Sequence, residues 1–385
     1  MADFTTVPNR FQQSSTKWRE TEFKDSELLP LWVADMDFKV LPELREAMAE
    51  FVKRPVFGYS YASDSLYEAI QSWEQAQHGY RFEKEAIVLI DGVVPGLSVA
   101  VQAYTEPGDA VLINTPLYPP FARTIRLNGR QIVENQLQEV AGRFEIDFER
   151  LEQQIVKEKV KLYLLCNPHN PGGRAFSRME LEQIGQVCKR HGVLLVADEI
   201  HQDLVLFGWQ HHSFNTVAPD FKDFALILTA ATKTFNTAGT KCAFAIIENS
   251  ELREKFTKQQ LRNNQHEVST LGLFATELVY REGKAWLAEL LPVLETNINY
   301  VAQELREKTQ IKVMQPEATY LIWLDFSAYG LSDRTLQAKI HDEAKLILNP
   351  GESFGQAGRA HARFNAAAPF SLIKEATERL VKVFG

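Results

Sequence analysis

The chain has 385 residues, 45% of them hydrophobic and 24% charged, the proportions of a soluble globular protein long enough for a large core and at least two lobes. A balance of 42 Lys and Arg against 50 Asp and Glu gives a net charge of −8 with no basic block, which argues against a nucleic-acid partner. Three cysteines without metal-ligand spacing (Cys166, Cys188, Cys242), no signal-peptide core in the first thirty residues and no run approaching a membrane span lead to a cytoplasmic, reducing location as the expectation.

In chain order, the first feature is Trp32-Val-Ala-Asp35-Met-Asp37-Phe38. Two carboxylates at i and i+2 in a strand-like turn suit paired-acid chemistry or local loop bonding equally. Ala86-Ile-Val-Leu-Ile-Asp-Gly92-Val-Val-Pro-Gly96 reads as a strand, a glycine and a helix with Pro95 in its first turn. The N–H groups of Gly92, Val93 and Val94 would then face an anion. The pattern is not G-x-G-x-x-G, so a dinucleotide fold is disfavoured. After the next strand, Tyr118 is flanked by prolines, which suits a loop tyrosine stacked on a flat ring better than a core tyrosine.

Lys161–Gly173 is an apolar strand ending in two Asn-Pro pairs and two glycines. Asn170 there either donates its amide into a crevice or closes an Asx turn, and Cys166 reads as strand packing. Ser177-Arg-Met-Glu180 is a capping box opening a helix that ends at His191, with Gly192 as its stop. Val193–Ala197 is a buried parallel strand with Asp198 at its carboxyl end, the edge where open α/β sheets bind ligands. A carboxylate at that edge can cap a helix, ligate a metal or hold a proton on a heterocyclic nitrogen. His211-His212 with His201 lack an acidic partner at ligand spacing, so no metal is expected and the pair reads as solvated.

Lys233 follows the apolar run Phe224–Leu228 and precedes a Gly-containing turn. A surface lysine is the commoner outcome at such a place. With Asp198 at the carboxyl end of an upstream strand, the sharper reading is a partly dry amine with a lowered pKa, able to form a Schiff base. Beyond about residue 250 the text turns helical and charged, from Glu251 and again from Trp286 through Leu305. Alternating segments follow at Thr319–Asp325 and Ala344–Leu348, then the loop Pro350–Gly358, placed either to gate an entrance or to turn flexibly. Strands alternating with helices imply a mostly parallel sheet with right-handed crossovers.

The ordered set Gly92-Val93-Val94, Tyr118, Asn167-Pro-His-Asn170-Pro-Gly172, Asp198-Glu-Ile-His201, Thr232-Lys233-Thr-Phe-Asn236 and Arg363-Phe-Asn365 resembles the fold-type I pyridoxal-phosphate enzymes, the class I/II aminotransferase family, over nearly the whole chain. Ser15-Thr-Lys-Trp18, Trp32–Phe38, Val56-Phe-Gly-Tyr-Ser60 and Ile246-Ile-Glu-Asn-Ser250 resemble its cystathionine β-lyase branch, the MalY/PatB-type C–S lyases. The resemblance implies an α/β, aspartate aminotransferase-like fold: an arm over 1–45 joining the small domain, a large mostly parallel-sheet domain over 46–285 that binds pyridoxal 5'-phosphate, and a smaller α+β domain over 286–385.

It also implies roles. Lys233 forms the Schiff base, Asp198 pairs with the ring nitrogen, Asn170 bonds the ring hydroxyl and Tyr118 stacks on the ring. Gly92, Val93 and Val94 hold the phosphate, and Tyr59 reaches the phosphate of the neighbouring subunit in a homodimer. Arg363 forks onto the substrate carboxylate, with Asn365 and Asp35 beside it. One departure concerns the phosphate: many relatives place serine where this chain has Ala230, so Thr232 or Lys241 must compensate. His201 stands where many relatives have a tyrosine on the ring hydroxyl. The implied activity is β-elimination on L-cystathionine or L-cysteine-like amino acids, giving a thiol, pyruvate and ammonia. The alternative is an aminotransferase using the same residues. A catalytically idle binding protein is disfavoured because Lys233, Asp198 and Arg363 are all present.

Overall fold

The structure is a computed structural model and describes residues 2–385. Seven strands make the main sheet: β1 (Ile87–Ile90), β2 (Ala110–Thr115), β3 (Gln131–Gln136), β4 (Leu162–Cys166), β5 (Leu194–Asp198), β6 (Ala225–Thr229) and β7 (Ala243–Ile246). Their order across the sheet is β1-β7-β6-β5-β4-β2-β3. Every pair from β6 to β3 is parallel, while β7 runs against both neighbours. All positions of β2, β4, β6 and β7 are buried, as strands covered by helices on both faces must be. The carboxyl ends of β4, β5 and β6 therefore open onto one crevice, and each leads into a segment singled out above.

The helix Arg178–His191 has the expected capping box, with Ser177 and Glu180 each bonding the other's backbone, and stops at Gly192 with φ +65°. A second, antiparallel sheet contains β8 (Lys312–Met314), β9 (Leu321–Asp325), β10 (Asn349–Pro350) and β11 (His361–Asn365), in the order β8-β9-β11-β10. Helices Lys284–Lys308 and Phe370–Phe384 pack together beside it. Leu29–Pro30 pairs in parallel with Leu346–Ile347, which ties the amino-terminal segment to the carboxyl-terminal third. Among the described residues no helix is long and apolar enough to cross a membrane.

Several expectations change. The strand read over Thr319–Asp325 starts at Leu321, because Thr319 has φ +71° and its N–H bonds the Leu204 carbonyl at 2.7 Å instead of joining a ladder. The run Ala344–Leu348 is reduced to Leu346–Ile347. In the glycine loop Gly351 and Gly358 pack tightly: a Cβ on Gly358 would sit 1.9 Å from the Gly351 oxygen, and Phe354, between them in sequence, is buried. Asp35 and Asp37 do not bond locally. Their carboxylates meet Arg10, at 2.9 Å each, and the fully buried Lys17 ammonium lies 2.6 Å from Asp37. Those partners lie far back along the chain, so spacing alone gave no hint of them.

His211 is also unlike its expectation. Its side chain is buried and its Nε2 lies 3.2 Å from a Glu199 carboxylate oxygen, while His212 remains partly exposed. The acidic partner comes from the segment after β5, which folding and not sequence spacing brings near. Among the described residues no His, Cys, Asp or Glu cluster has the arrangement of a metal site.

Helix Thr270–Glu282 packs on the turn Ala238–Lys241 through Gly272, where an added Cβ would stand 2.6 Å from the Thr240 carbonyl oxygen and 2.9 Å from the Cys242 Cβ. Neither atom can step aside without moving backbone. Gly272→Ala is therefore expected to destabilise the fold by about 1–3 kcal/mol, read as a lower denaturant midpoint at unchanged m-value.

Candidate active site

A cavity of about 180 Å3 lies at the carboxyl edge of the main sheet, and ten of the residues singled out in the sequence line it: Gly92, Val93, Val94, Tyr118, Asn170, Asp198, His201, Thr232, Lys233 and Lys241. Lys233 belongs to a single helical turn, Ala231–Thr234, immediately after β6. Asp198 is the last residue of β5, in register with Leu228 of β6. Adjacent parallel strands thus deliver the amine and the carboxylate to one place. Asp198 is buried and Lys233 is partly buried. Burial, with Arg363 adding a like charge, brings the Lys233 amine down to about 8. Burial pushes the Asp198 carboxyl from an ordinary 3.8 up to about 7, against the opposing pull of the Ile200 N–H and Lys233. The Lys233 Nζ donates to the carbonyl of Ala34, which also accepts the Tyr320 hydroxyl at 3.0 Å.

Gly92 precedes helix Val93–Tyr104 with φ +156°, and no side chain caps that helix start. Its first N–H groups have no intrahelical acceptor and carry the positive end of the helix dipole. Pro95 adds no donor. Lys241, exposed and with φ +57°, and the buried Thr232 line the same cavity. Ala230 is buried at the start of the Lys233 turn.

Arg363 is on β11 and does not line this cavity, yet its Nη1 donates to Asn170 Oδ1 at 2.9 Å. Its Nη2 donates to the Trp32 carbonyl at 2.8 Å and to Asn349 Oδ1 at 2.6 Å, and its buried Nε has no partner. An arginine only donates, so it settles the orientation of the Asn170 amide: the oxygen faces Arg363, and the nitrogen is left without an acceptor among the described residues. Burial lowers Arg363 to about 10. His201 is buried with Nδ1 unpartnered, its ring edge-on to Tyr320, and burial drops it to about 3, a neutral imidazole.

Three expected site residues are elsewhere. The Asn365 amide bonds the carbonyls of Val33 and Asp35 at 2.7 Å each, so it shapes the Trp32–Phe38 wall and offers no free donor to a ligand. The Asp35 carboxylate is occupied by Arg10 and Lys17. Tyr59 is 98% exposed and lines a separate surface cleft with Phe57 and Tyr61. Ala34, Tyr320, Asn349 and Asn236 escaped the reading of the sequence. The first acts through its carbonyl. Asn236 clasps Met36 and Phe38 through their backbones, and nothing in local sequence marks either use.

Residues 26–380 match the family model for aminotransferase class I and II, so the chain belongs to that family. It is 40% identical to cystathionine beta-lyase PatB of Bacillus subtilis over 98% of each chain. Identity to a cystathionine beta-lyase of Corynebacterium glutamicum is 35% over 95% of this chain and 96% of that one. Among solved structures, cystalysin from Treponema denticola, which contains a pyridoxal 5'-phosphate cofactor, superposes with a TM-score of 0.96 at 34% identity, covering 100% of this chain and 98% of that one.

The raised Asp198 carboxyl has a consequence for the ligand-free protein. Between 3.8 and about 7 the folded chain keeps a proton that the unfolded chain has released, so stability falls as pH rises, and above 7 the whole cost is present. Asp198→Asn removes that cost. The ligand-free variant is expected to be more stable than the unaltered protein above pH 7, by an amount on the order of a few kcal/mol, with the difference gone below pH 4. Chemical denaturation across that range measures it.

Proposed function

We propose that this chain is a pyridoxal-phosphate-dependent carbon–sulfur lyase that eliminates the β-substituent of amino acids such as L-cystathionine, with water consumed and a thiol, pyruvate and ammonia released. The observation carrying this reading is the partly buried Lys233 paired with the buried Asp198 on one cavity, in a chain 40% identical along its length to a cystathionine beta-lyase.

The residues present fit the cofactor at each end. An uncapped helix start at Val93 and Val94, with Lys241 and Thr232 nearby, suits a phosphate. Asp198 suits a protonated ring nitrogen, whose positive charge would return the buried carboxyl to its ionised form. The free amide nitrogen of Asn170 suits the ring hydroxyl, and Tyr118, lining the same cavity, suits stacking on a flat ring. When bound, the cofactor supplies an electron sink for the carbanion left at the substrate α-carbon. Arg363 binds the α-carboxylate. Its orphan Nε–H is one donor available to that group, and a second prong from Nη2 requires Asn349 or the Trp32 carbonyl to release it. The Lys233 amine, neutral above about pH 8, takes the α-proton on Nζ. Loss of the β-thiolate completes the elimination.

Purified protein given L-cystathionine should release pyruvate with no 2-oxo acid added. Release only when such an acceptor is supplied would make the chain an aminotransferase instead. Lys233→Ala is expected to lose both the visible cofactor band and turnover; survival of either assigns the chemistry to a different lysine.

The assembly reading is a homodimer. Phe57, Tyr59 and Tyr61 are 64%, 98% and 89% exposed on one short segment, beside a cleft lined also by Leu261 and Leu273. Apolar surface of that kind marks an interface, and Tyr59 would reach across to the partner's phosphate seat. Tyr59→Phe should weaken cofactor affinity about tenfold, the worth of one charge-assisted hydrogen bond, while light scattering still reports a dimer. A monomeric unaltered protein would rule out this arrangement.

A further inference from the structure

Behind the Lys233 turn, on the side away from the cavity, lies a buried polar cluster that the chemistry above does not use. Its centre is Asp203. One oxygen accepts the Trp73 indole N–H at 3.0 Å and sits 2.8 Å from His78 Nε2; the other accepts the Thr234 hydroxyl at 2.7 Å. Trp73 and His78 come from helix Asp64–His78, and Asp203 comes five residues after Asp198. Thr234 is the residue next to Lys233. One carboxylate therefore joins three elements, and two of them carry the ring-facing acid and the amine.

A carboxylate withdrawn from water costs several kcal/mol unless its lone pairs are filled. Here three donors fill them. Asp203 is held ionised because the bonds and charge of His78 outweigh burial, and His78 is raised to about 9 despite its own burial, chiefly by Asp203. The other titratable groups facing the pair are Glu74 on the His78 helix, Glu199 on the Asp203 segment, His211 packed against the His78 ring, and Tyr280 on helix Thr270–Glu282. Gln202 donates to Glu74 and the Phe214 N–H to Glu199, at 2.7 and 2.8 Å. Asp203 itself is thus fixed from helix Asp64–His78 by two partners, and its remaining bond, to the Thr234 hydroxyl, reaches the Lys233 turn. That turn has little of its own to fix it: one helical turn, without a side-chain cap.

We propose that Asp203, locked by His78 and Trp73, is a positioning residue that sets the reach of the Lys233 amine toward the Asp198 end of the cavity through its bond to Thr234. This inference rests on the cofactor reading above. Strand pairing brings Asp198 and Lys233 near one another, but ladder register leaves the side-chain reach free to shift by a fraction of an ångström. Misplacement on that scale is costly, because bond formation depends steeply on approach geometry.

The test compares Thr234→Val, nearly isosteric and without the hydroxyl, with Thr234→Ser, which keeps it. Pyridoxal 5'-phosphate is added to each cofactor-free protein. The rate at which the visible lysine–cofactor band appears is followed, with the pH midpoint of that band and the melting temperature beside it. Thr234→Val should form the band about fivefold more slowly, the effect of one lost hydrogen bond near 1 kcal/mol, with a displaced midpoint. Thr234→Ser should restore both. Thr234→Ala removes the same bond and takes the place of Thr234→Val if the latter does not fold. A hydroxyl-free variant that melts earlier yet keeps the original rate and midpoint makes the cluster purely structural and overturns the proposal. Equal impairment of Thr234→Ser overturns it too, because the hydroxyl would then not matter. Absence of the band in the unaltered protein overturns the cofactor reading itself, an outcome distinct from either.

Discussion

Partial withdrawal of the Lys233 amine from water beside the buried Asp198 is the constraint around which the rest is arranged. Each group is pushed toward its neutral form by the same cause, burial, the amine down to about 8 and the carboxyl up to about 7. A pair held this way costs stability in the ligand-free chain wherever its groups are charged. What it provides is an amine that becomes neutral near pH 8, far below an ordinary lysine, and an acid whose charge returns when a cation is placed against it. The main sheet exists in the geometry that makes this possible: two adjacent parallel strands end together, and helices on both faces exclude solvent from their tips.

The second sheet contributes through one arginine. Arg363 on β11 bonds Asn170 after β4, Asn349 on β10 and the carbonyl of Trp32, so the amino-terminal wall, the main sheet and the second sheet meet at a single guanidinium. The Trp32–Phe38 wall is itself fixed from several directions. Asn365, Asn236 and Tyr320 hold its carbonyls, and Arg10 and Lys17 hold its carboxylates. Most of the wall's polar groups are engaged before any ligand arrives. The Arg363 Nε and the Asn170 amide nitrogen are left over as donors without an acceptor among the described residues.

How much of this was legible in sequence depends on whether a residue acts through its type or through its place. Lys233, Asp198, Asn170 and Gly92 follow apolar runs at strand ends, and the buried-strand pattern put each at the same sheet edge. The capping box at Ser177–Glu180 was equally plain because its two partners lie three residues apart. Ala34 could not be read, since it acts through a carbonyl that every residue has. Arg10 could not be assigned to Asp37 and Asp35 because its pairing spans 27 and 25 residues, and Lys17 is likewise distant from both. His211 was misread as solvated for the same reason: Glu199 lies beside it in space and 12 residues away in sequence.

The buried cluster around Asp203 shows the same division one layer deeper. Three carboxylates and two imidazoles sit within a core that alternating apolar runs would have filled with leucine, and hydrophobic replacement of such groups commonly leaves a fold as stable or more so. Stability alone therefore does not explain them. A packed hydrocarbon side chain transmits position softly, because dispersion contacts tolerate small slides. A carboxylate with its lone pairs filled by an indole, an imidazolium and a hydroxyl has one low-energy arrangement. Directional bonding at Thr234 passes that definiteness to the neighbouring residue, which is the one whose reach the chemistry depends on.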